Sequence, residues 1–134
     1  MIDIETDIFN EVASMLLEKH PLTFMTGEYV ASPAAFPCVS LMEMDNTAYR
    51  RTQSSSSGEN HAEVMYEINV YSNSASKRKE ECKTIAADID EVMIGMGFTR
   101  IMLNPVPNML DASVYRITAR YSAVISKDLT IYRR

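Results

Sequence analysis

Residues 62–72 alternate so strictly that few folds can hold them: Val64, Tyr66, Ile68 and Val70 recur at every second position, while Glu63, Glu67 and Asn69 fall between them. Period two is the pattern of a strand with one face against a core. The turn residues Ser72, Asn73 and Ser74 follow, and then Cys82, Ile85, Ala86, Ile89, Val92, Met93 and Met96 recur at intervals of three and four. That spacing lays one apolar stripe along a helix. Gly95 or Gly97 ends it, because glycine takes the left-handed cap without a Cβ clash. A strand of about eleven residues spans roughly 36 Å and a helix of about twenty roughly 30 Å, so the helix can lie back along the sheet. At ~1.5–3 kcal/mol per large side chain its stripe offers on the order of 10 kcal/mol gross, most of it offset by chain entropy.

The rest of the chain packs on this unit. Residues 3–19 carry a second helical stripe of Ile8, Val12, Met15 and Leu16, flanked by Ile4 and Phe9 and ended by His20-Pro21, since the residue before a proline leaves the helical region. Its acidic first turns and Lys19 near its end suit the helix dipole. Residues 23–30 are aromatic and β-branched and predict a first strand, and the proline-containing residues 31–37 interrupt regular structure. Residues 36–45 predict a second strand in which Val39 and Leu41 argue for one face and Met42 and Met44 for the other; a bulge or burial on both faces would reconcile them. The polar residues 46–60, with Ser54, Ser55, Ser56, Ser57 and Gly58, predict the tip of a long hairpin, placed at about 46–61. It reads equally as a disordered loop or as an ordered contact surface. Ile101 and Leu103 mark a short strand over 99–103, residues 104–112 an irregular loop, and 113–126 the cleanest alternation in the chain. The order is helix, three strands, helix, two strands (α-β-β-β-α-β-β). It predicts an α+β fold: an antiparallel-rich mixed sheet of four to five strands with both helices packed on one face.

With 134 residues and 46% hydrophobic content the chain makes one core, so residues 1–134 are expected to form a single domain. A net charge of −5 argues against holding nucleic acid by overall charge. No run approaches a membrane span, and Asp3, Glu5 and Asp7 stand where a secretory signal would be basic. Cys38 and Cys82 are the only cysteines and read as buried free thiols, with a disulfide as the alternative. No catalytic residues, metal ligands or cofactor site emerge. His20 and His61 have no spaced second ligand, and the four glycines make no phosphate cradle. Asp88, Asp90 and Glu91 diverge by roughly 100° per residue on a helix. The methionines read as core filling rather than as an adaptable groove. The expectation is therefore a protein without enzymatic activity.

Charge placement points instead to assembly. Lys77, Arg78 and Lys79 open the second helix and Asp88, Asp90 and Glu91 lie toward its end, opposing the macrodipole by about 0.3–1 kcal/mol per exposed charge. A head-to-tail neighbour would compensate and can close a ring; a solvated helix that tolerates the penalty is the plainer account. Glu63 and Glu67 share one orientation, as do Arg116 and Arg120, and pair across the sheet if their strands are neighbours or between subunits if not. The tail at 129–134, with Ile131, Tyr132, Arg133 and Arg134, either adds to a neighbour's sheet edge or frays.

Tyr66-Glu67-Ile68-Asn69-Val70-Tyr71, a helix with Ile85, Ile89 and Met93, Gly97-Phe98, Pro107-Asn108, Asp111, Val114-Tyr115-Arg116, Arg120-Tyr121 and Ile131-Tyr132-Arg133-Arg134 together resemble the tail terminator proteins of long-tailed bacteriophages, also called tail-completion or minor capsid proteins. The likeness covers residues 62–134, and the first sixty only by order of elements. It implies a structural virion protein, assembled in the bacterial host cytoplasm, that caps the head-proximal end of the tail tube as a homohexameric ring. The ring stops tube polymerisation and offers a docking surface to the head connector, or head-completion protein. Genomic DNA passes through without specific binding, in keeping with negatively charged subunits that repel it. On the same picture Arg50, Arg51, Ser54, Ser55, Ser56, Ser57 and Gly58, with Asn104, Asn108 and Asp111, make axial contacts with tube or connector. The alternatives are a head-tail connector or other tail component of the same fold, or a monomeric or dimeric α+β protein-binding module.

Overall fold

The computed structural model describes residues 1–48, 61–107 and 111–132. Its elements are α1 (Glu5–Lys19), β1 (Phe24–Thr26), β2 (Cys38–Ala48), β3 (His61–Ser72), α2 (Arg78–Met96), β4 (Thr99–Pro105), β5 (Tyr115–Ser126) and β6 (Ile131–Tyr132). They form an α+β fold with one mixed six-stranded sheet in the order β1-β2-β3-β5-β4, and β6 pairs with β5. Among the described residues only the β1–β2 pairing is parallel.

The alternation of β3 decides the layering. Val64, Tyr66, Ile68 and Val70 are all buried, and their neighbours Val39 and Leu41 on one side and Ile117, Ala119, Tyr121 and Ala123 on the other extend the same apolar face. Both helices cover that face. Ile8, Val12 and Leu16 of α1 and Cys82, Ile85, Ala86, Ile89 and Met93 of α2 join these strand residues in one continuous core. Phe98 completes it, its ring edge-on to Tyr66 at 5.6 Å.

The end of α2 follows from Gly97, whose φ of 106° lies in the left-handed region. The Gly97 amide donates to the carbonyl of Ile94 at 3.0 Å and the Phe98 amide to that of Met93 at 3.1 Å, the paired bonds of a Schellman cap. This cap turns the chain by one residue into the core at Phe98. Asp3 serves the other helix, its carboxylate accepting the Glu5 amide at 3.0 Å.

The conflict between Val39 and Leu41 on one face and Met42 and Met44 on the other resolves in two ways: Met42, opposite Glu67, is half-buried on the outer face, and a bulge takes up Met44. The β2–β3 register slips between Glu43 and Asp45, which leaves Met44 half exposed. The bulge directs the Glu43 amide to the carboxylate of Glu5, 2.7 Å away, so the disturbed ladder is repaired from α1.

Four expectations need correction. The first strand is three residues long, not a run over 23–30; the chain bends at Gly27 and Glu28 and crosses the end of the sheet, where the Tyr71 hydroxyl donates to the Val30 carbonyl at 3.1 Å. The hairpin tip is narrower than 46–61, because β2 continues to Ala48 and β3 begins at His61, the last pair being Ala48 opposite Ala62; residues 49–60 lie outside the described residues. Asn104 belongs to β4, opposite Thr118, rather than to a loop. The tail neither frays at Ile131 nor waits for a neighbour: Ile131 and Tyr132 pair with Ile125 and Val124 of the same chain. The turn that returns them is held by Ser126, whose hydroxyl donates to Asp128 and accepts the Thr130 amide.

Both cysteines are free and buried. Burial pushes the Cys38 thiol up to about 11 and the Cys82 thiol up to about 12. It raises the phenols of Tyr66, Tyr71 and Tyr121 as well. Thiols and phenols in the unfolded chain ionise near their ordinary values of about 8.5 and about 10. As the pH climbs past these, the unfolded state loses protons that the folded state still holds, and stability falls. Urea unfolding at pH 7.5, 9 and 10.5 is therefore expected to give a steadily lower midpoint, with thiol alkylation at pH 8.5 slow in the native state and fast in urea. A midpoint unchanged up to pH 10.5 would contradict this account.

Candidate functional site

Two surfaces hold the residues singled out by the sequence. The first is the sheet face opposite the helices. The odd-numbered side chains of β3 lie there beside the even-numbered ones of β5, because Glu67 stands opposite Arg120, Asn69 opposite Thr118 and Tyr71 opposite Arg116. An outer face of this composition would be expected to be wet, yet Ser40 and Asn69 are fully buried and Glu67 and Thr118 nearly so.

Asn69 is the hub. Its Oδ1 accepts from Arg116 Nε at 3.0 Å, Arg116 Nη2 at 2.8 Å and Thr118 Oγ1 at 2.6 Å. Its Nδ2 donates to Ser40 Oγ at 3.3 Å and Glu67 Oε2 at 3.4 Å. Only one orientation of the amide serves all of these partners, so the network fixes it. Glu67 Oε1 accepts from Arg120 Nε at 3.2 Å. The Arg116 guanidinium lies 5.5 Å from the centre of the Tyr71 ring, which suits a cation-π contact. At the end of this face Tyr71 packs with Cys38 and Val114 under Phe36.

The sequence proposed that these charges pair across the sheet or between subunits, and the structure places β3 and β5 side by side. Glu67 and Arg120 pair directly. Arg116 takes Asn69 instead of a carboxylate. Glu63 sits opposite Val124, half-buried on the same face.

The second surface is the exposed side of α2. The dipole argument for its charges needs correction. The last turn holds Met93, Ile94, Gly95 and Met96 and no charge, while Glu80 and Glu81 join the cations in the first turn. Because the dipole acts within the terminal turns, Asp88, Asp90 and Glu91 lie too far inboard to oppose it. Two of them have internal partners. Asp88 Oδ2 is 2.6 Å from His20 Nε2, tying α2 to the end of α1. Asp90 Oδ1 accepts the Tyr121 hydroxyl at 2.7 Å and lies 3.2 Å from Arg100 Nη1. Glu91, Lys77 and Lys79 are exposed, and Arg78 reaches the Ala75 carbonyl at 3.5 Å. His20 is thus a half-buried link between the helices.

The remaining candidates are scattered. Tyr132 rests against the ring of His61 at 5.9 Å. Asp111 is exposed and accepts from the Ser113 amide and hydroxyl at 2.9 and 2.6 Å, bonds that hold its carboxyl below the ordinary range. Arg50, Arg51, Ser54, Ser55, Ser56, Ser57, Gly58, Asn108, Arg133 and Arg134 lie outside the described residues. Among the described residues no group of three or more His, Cys, Asp or Glu side chains has the arrangement to hold a metal ion, and no helix is long and apolar enough to cross a membrane. No protein-family model matches the chain, and no curated protein matches it significantly.

Sequence reasoning missed the central role of Asn69. The available signal was an asparagine, a residue depleted in strands, inside the strictly alternating run 62–72. It missed Lys83 too, which stands one helical turn beyond Lys79.

Removing the Asn69 amide leaves the Thr118 hydroxyl and part of the Arg116 guanidinium without partners. Asn69→Ala is expected to cost about 2–4 kcal/mol by denaturant unfolding, since hydrogen bonds to charged groups contribute ~1.5–3 kcal/mol. Arg120→Ala, which breaks a pair whose cation is 42% exposed, is expected to cost about 1 kcal/mol or less. Equal losses would show that the network is not organised around Asn69.

Proposed function

We propose that this chain is a structural virion protein of a long-tailed phage, one that caps the head-proximal end of the tail tube as a ring and docks the head connector. The reading is supported chiefly by the architecture. The resemblance implied a small α+β subunit, and those residues carrying it that the structure describes fall on one contiguous stretch, from β3 through α2, β4 and β5 to β6, around which the molecule is built. Tyr66, Ile68, Ile85, Ile89 and Met93 are core residues of that unit, and Gly97-Phe98 forms its helix stop.

In this reading the long β2–β3 ladder carries residues 49–60 to the tube or connector, and Asp111 lies on the second contact loop. The exposed Lys77 and Lys79 with Arg78 supply one side of a contact between neighbouring subunits, and of Asp88, Asp90 and Glu91 it is Glu91 that is left to meet them. Glu67, Arg116, Arg120, Asp88 and Asp90 spend their charge inside the subunit and hold the surface in shape. A ring of subunits with a net charge of −5 each repels DNA from its channel.

The deciding experiment adds the purified chain to polymerising tail-tube protein and measures tube lengths by electron microscopy. Shortened tubes bearing a ring at one end are expected, and tubes that keep growing uncapped would sink the proposal. The K77E/R78E/K79E variant is expected to melt within a few degrees of the parent, because Lys77 and Lys79 are exposed and Arg78 makes only a long bond to the Ala75 carbonyl, and to form rings at least about tenfold more weakly. Assembly at parental strength would remove the basic segment from the interface.

A further inference from the structure

β4 ends the main path of the sheet. One of its edges pairs with β5, and the other has no ladder partner among the described residues. Beside that open edge, between β4 and α2, runs a groove of about 440 Å³. The pairing explains why it is open. Leu103 stands opposite Ala119 and Pro105 opposite Ile117, so these β4 side chains point toward the helix layer, while the apolar side chains that α2 places along the groove are the small Ala86 and Ala87. The register slip between Arg100 and Met102 brings Arg100 and Leu103 to the same side. The floor is apolar, built from Leu103, Pro105, Tyr115 and Ile117; along the rim Asp90 and Arg100 offset each other at one end, and Lys79 and Lys83 leave the other end cationic.

Arg100 is occupied by Asp90. Lys79 and Lys83 are exposed and make no ion pair among the described residues. They sit four residues apart on one helix face, roughly 6 Å along the axis. Alternate residues of an extended strand are separated by roughly 6.6 Å. A strand laid along the β4 edge would therefore carry every second side chain past successive lysines at a matching interval. Side chains with an acidic head and a methylene stem fit both parts of the groove, with carboxylates at the lysines and stems over Leu103 and Pro105. Pro105 has no amide hydrogen and the bulge shortens the regular edge, so the backbone ladder alone is brief. Selectivity then falls to the groove.

We propose that the β4 edge and the α2–β4 groove form a docking site for an extended segment of a partner protein that adds to the sheet as a strand and carries acidic residues at alternate positions. This is β-strand addition with charge as its selector. It does not depend on the tail reading, because the edge, the groove and Lys83 lie outside the basic segment which that reading assigns to the subunit contact; Lys79 alone is shared by both.

The probe is the peptide Gly-Glu-Thr-Glu-Val-Glu-Thr-amide with fluorescein on its N-terminal amine, titrated with the full chain and followed by anisotropy at low and moderate salt. Binding that weakens with salt is expected. Lys83→Glu should weaken it several-fold and K79E/K83E at least about tenfold, with unchanged melting temperatures. A peptide with N-methyl groups on alternate backbone nitrogens, in either phase, should distinguish the modes: in one phase the ladder is blocked and binding is lost. Hydrogen exchange of the β4 amides should slow in the complex. Absence of binding to the acidic peptide overturns the proposal, as does binding that survives both the double substitution and N-methylation in either phase. Concentration-dependent self-association abolished by K79E/K83E, without peptide binding, would make a second copy the occupant and equally overturn it.

Discussion

The β3–β5 ladder is the constraint on which the rest of this molecule depends. It runs unbroken from His61 opposite Ser126 to Ser72 opposite Tyr115, and both of its faces are used. One face carries the apolar residues that receive the helices. The other carries a polar network whose members are buried despite facing away from the core. A register slip of one residue would exchange the two faces, setting Asn69 and Glu67 against Ile85 and Ile89 and turning Tyr66 and Ile68 outward. Two independent sets of interactions thus specify one register. The apolar set penalises a slip through lost burial, and the Asn69 set through unpaired buried groups, which cost more than the bonds themselves contribute.

Much of this was legible in the sequence because it is local. Val64, Tyr66, Ile68 and Val70 show a two-residue period within a few positions, and the stripe of α2 shows its own period in the same way. Even the bulge in β2 left a trace, since Met42 and Met44 contradicted the face assigned to Val39 and Leu41. The residues 23–30 misled for the opposite reason. Their composition suits a strand, but Gly27 and the need to cross the end of the sheet limit the pairing to Phe24–Thr26. Part of that limit is set by where β2 lies, which the composition of the segment does not record. The C-terminal tail is similar. Its strand propensity was visible, but β5 outruns β4 and so leaves Val124 and Ile125 open for it, which no local pattern records.

The charges were the least legible part, and the reason is register. Asp88 meets His20 across two helices, Asp90 meets Tyr121 and Arg100 across two layers, and Arg116 meets Asn69 across a ladder. Each pair joins residues from separate elements, so a linear reading can list the charges without knowing which are spent. What it treated as one acidic end of a helix is three groups with different fates: Asp88 and Asp90 bind inward, and Glu91 faces solvent. The cations at the start of α2 have no comparable sinks. The surface asymmetry that suggested assembly therefore survives, but it rests on unpaired cations and not on an unfavourable dipole.

Edge strands bring these threads together. A sheet with an open edge is prone to indiscriminate pairing unless the edge is short, bulged, charged or covered. On one side β1 is only three residues long. On the other, β6 covers β5 where β4 no longer reaches, and the bulge and Pro105 leave β4 only a brief regular edge. The groove with its two lysines sits beside that brief edge. Lysine near an open edge serves two ends at once, since it repels a second basic edge and attracts an acidic one. The same placement that guards the subunit against random aggregation selects the charge of a strand that can add to it, so protection and recognition need not be separate features of this sheet.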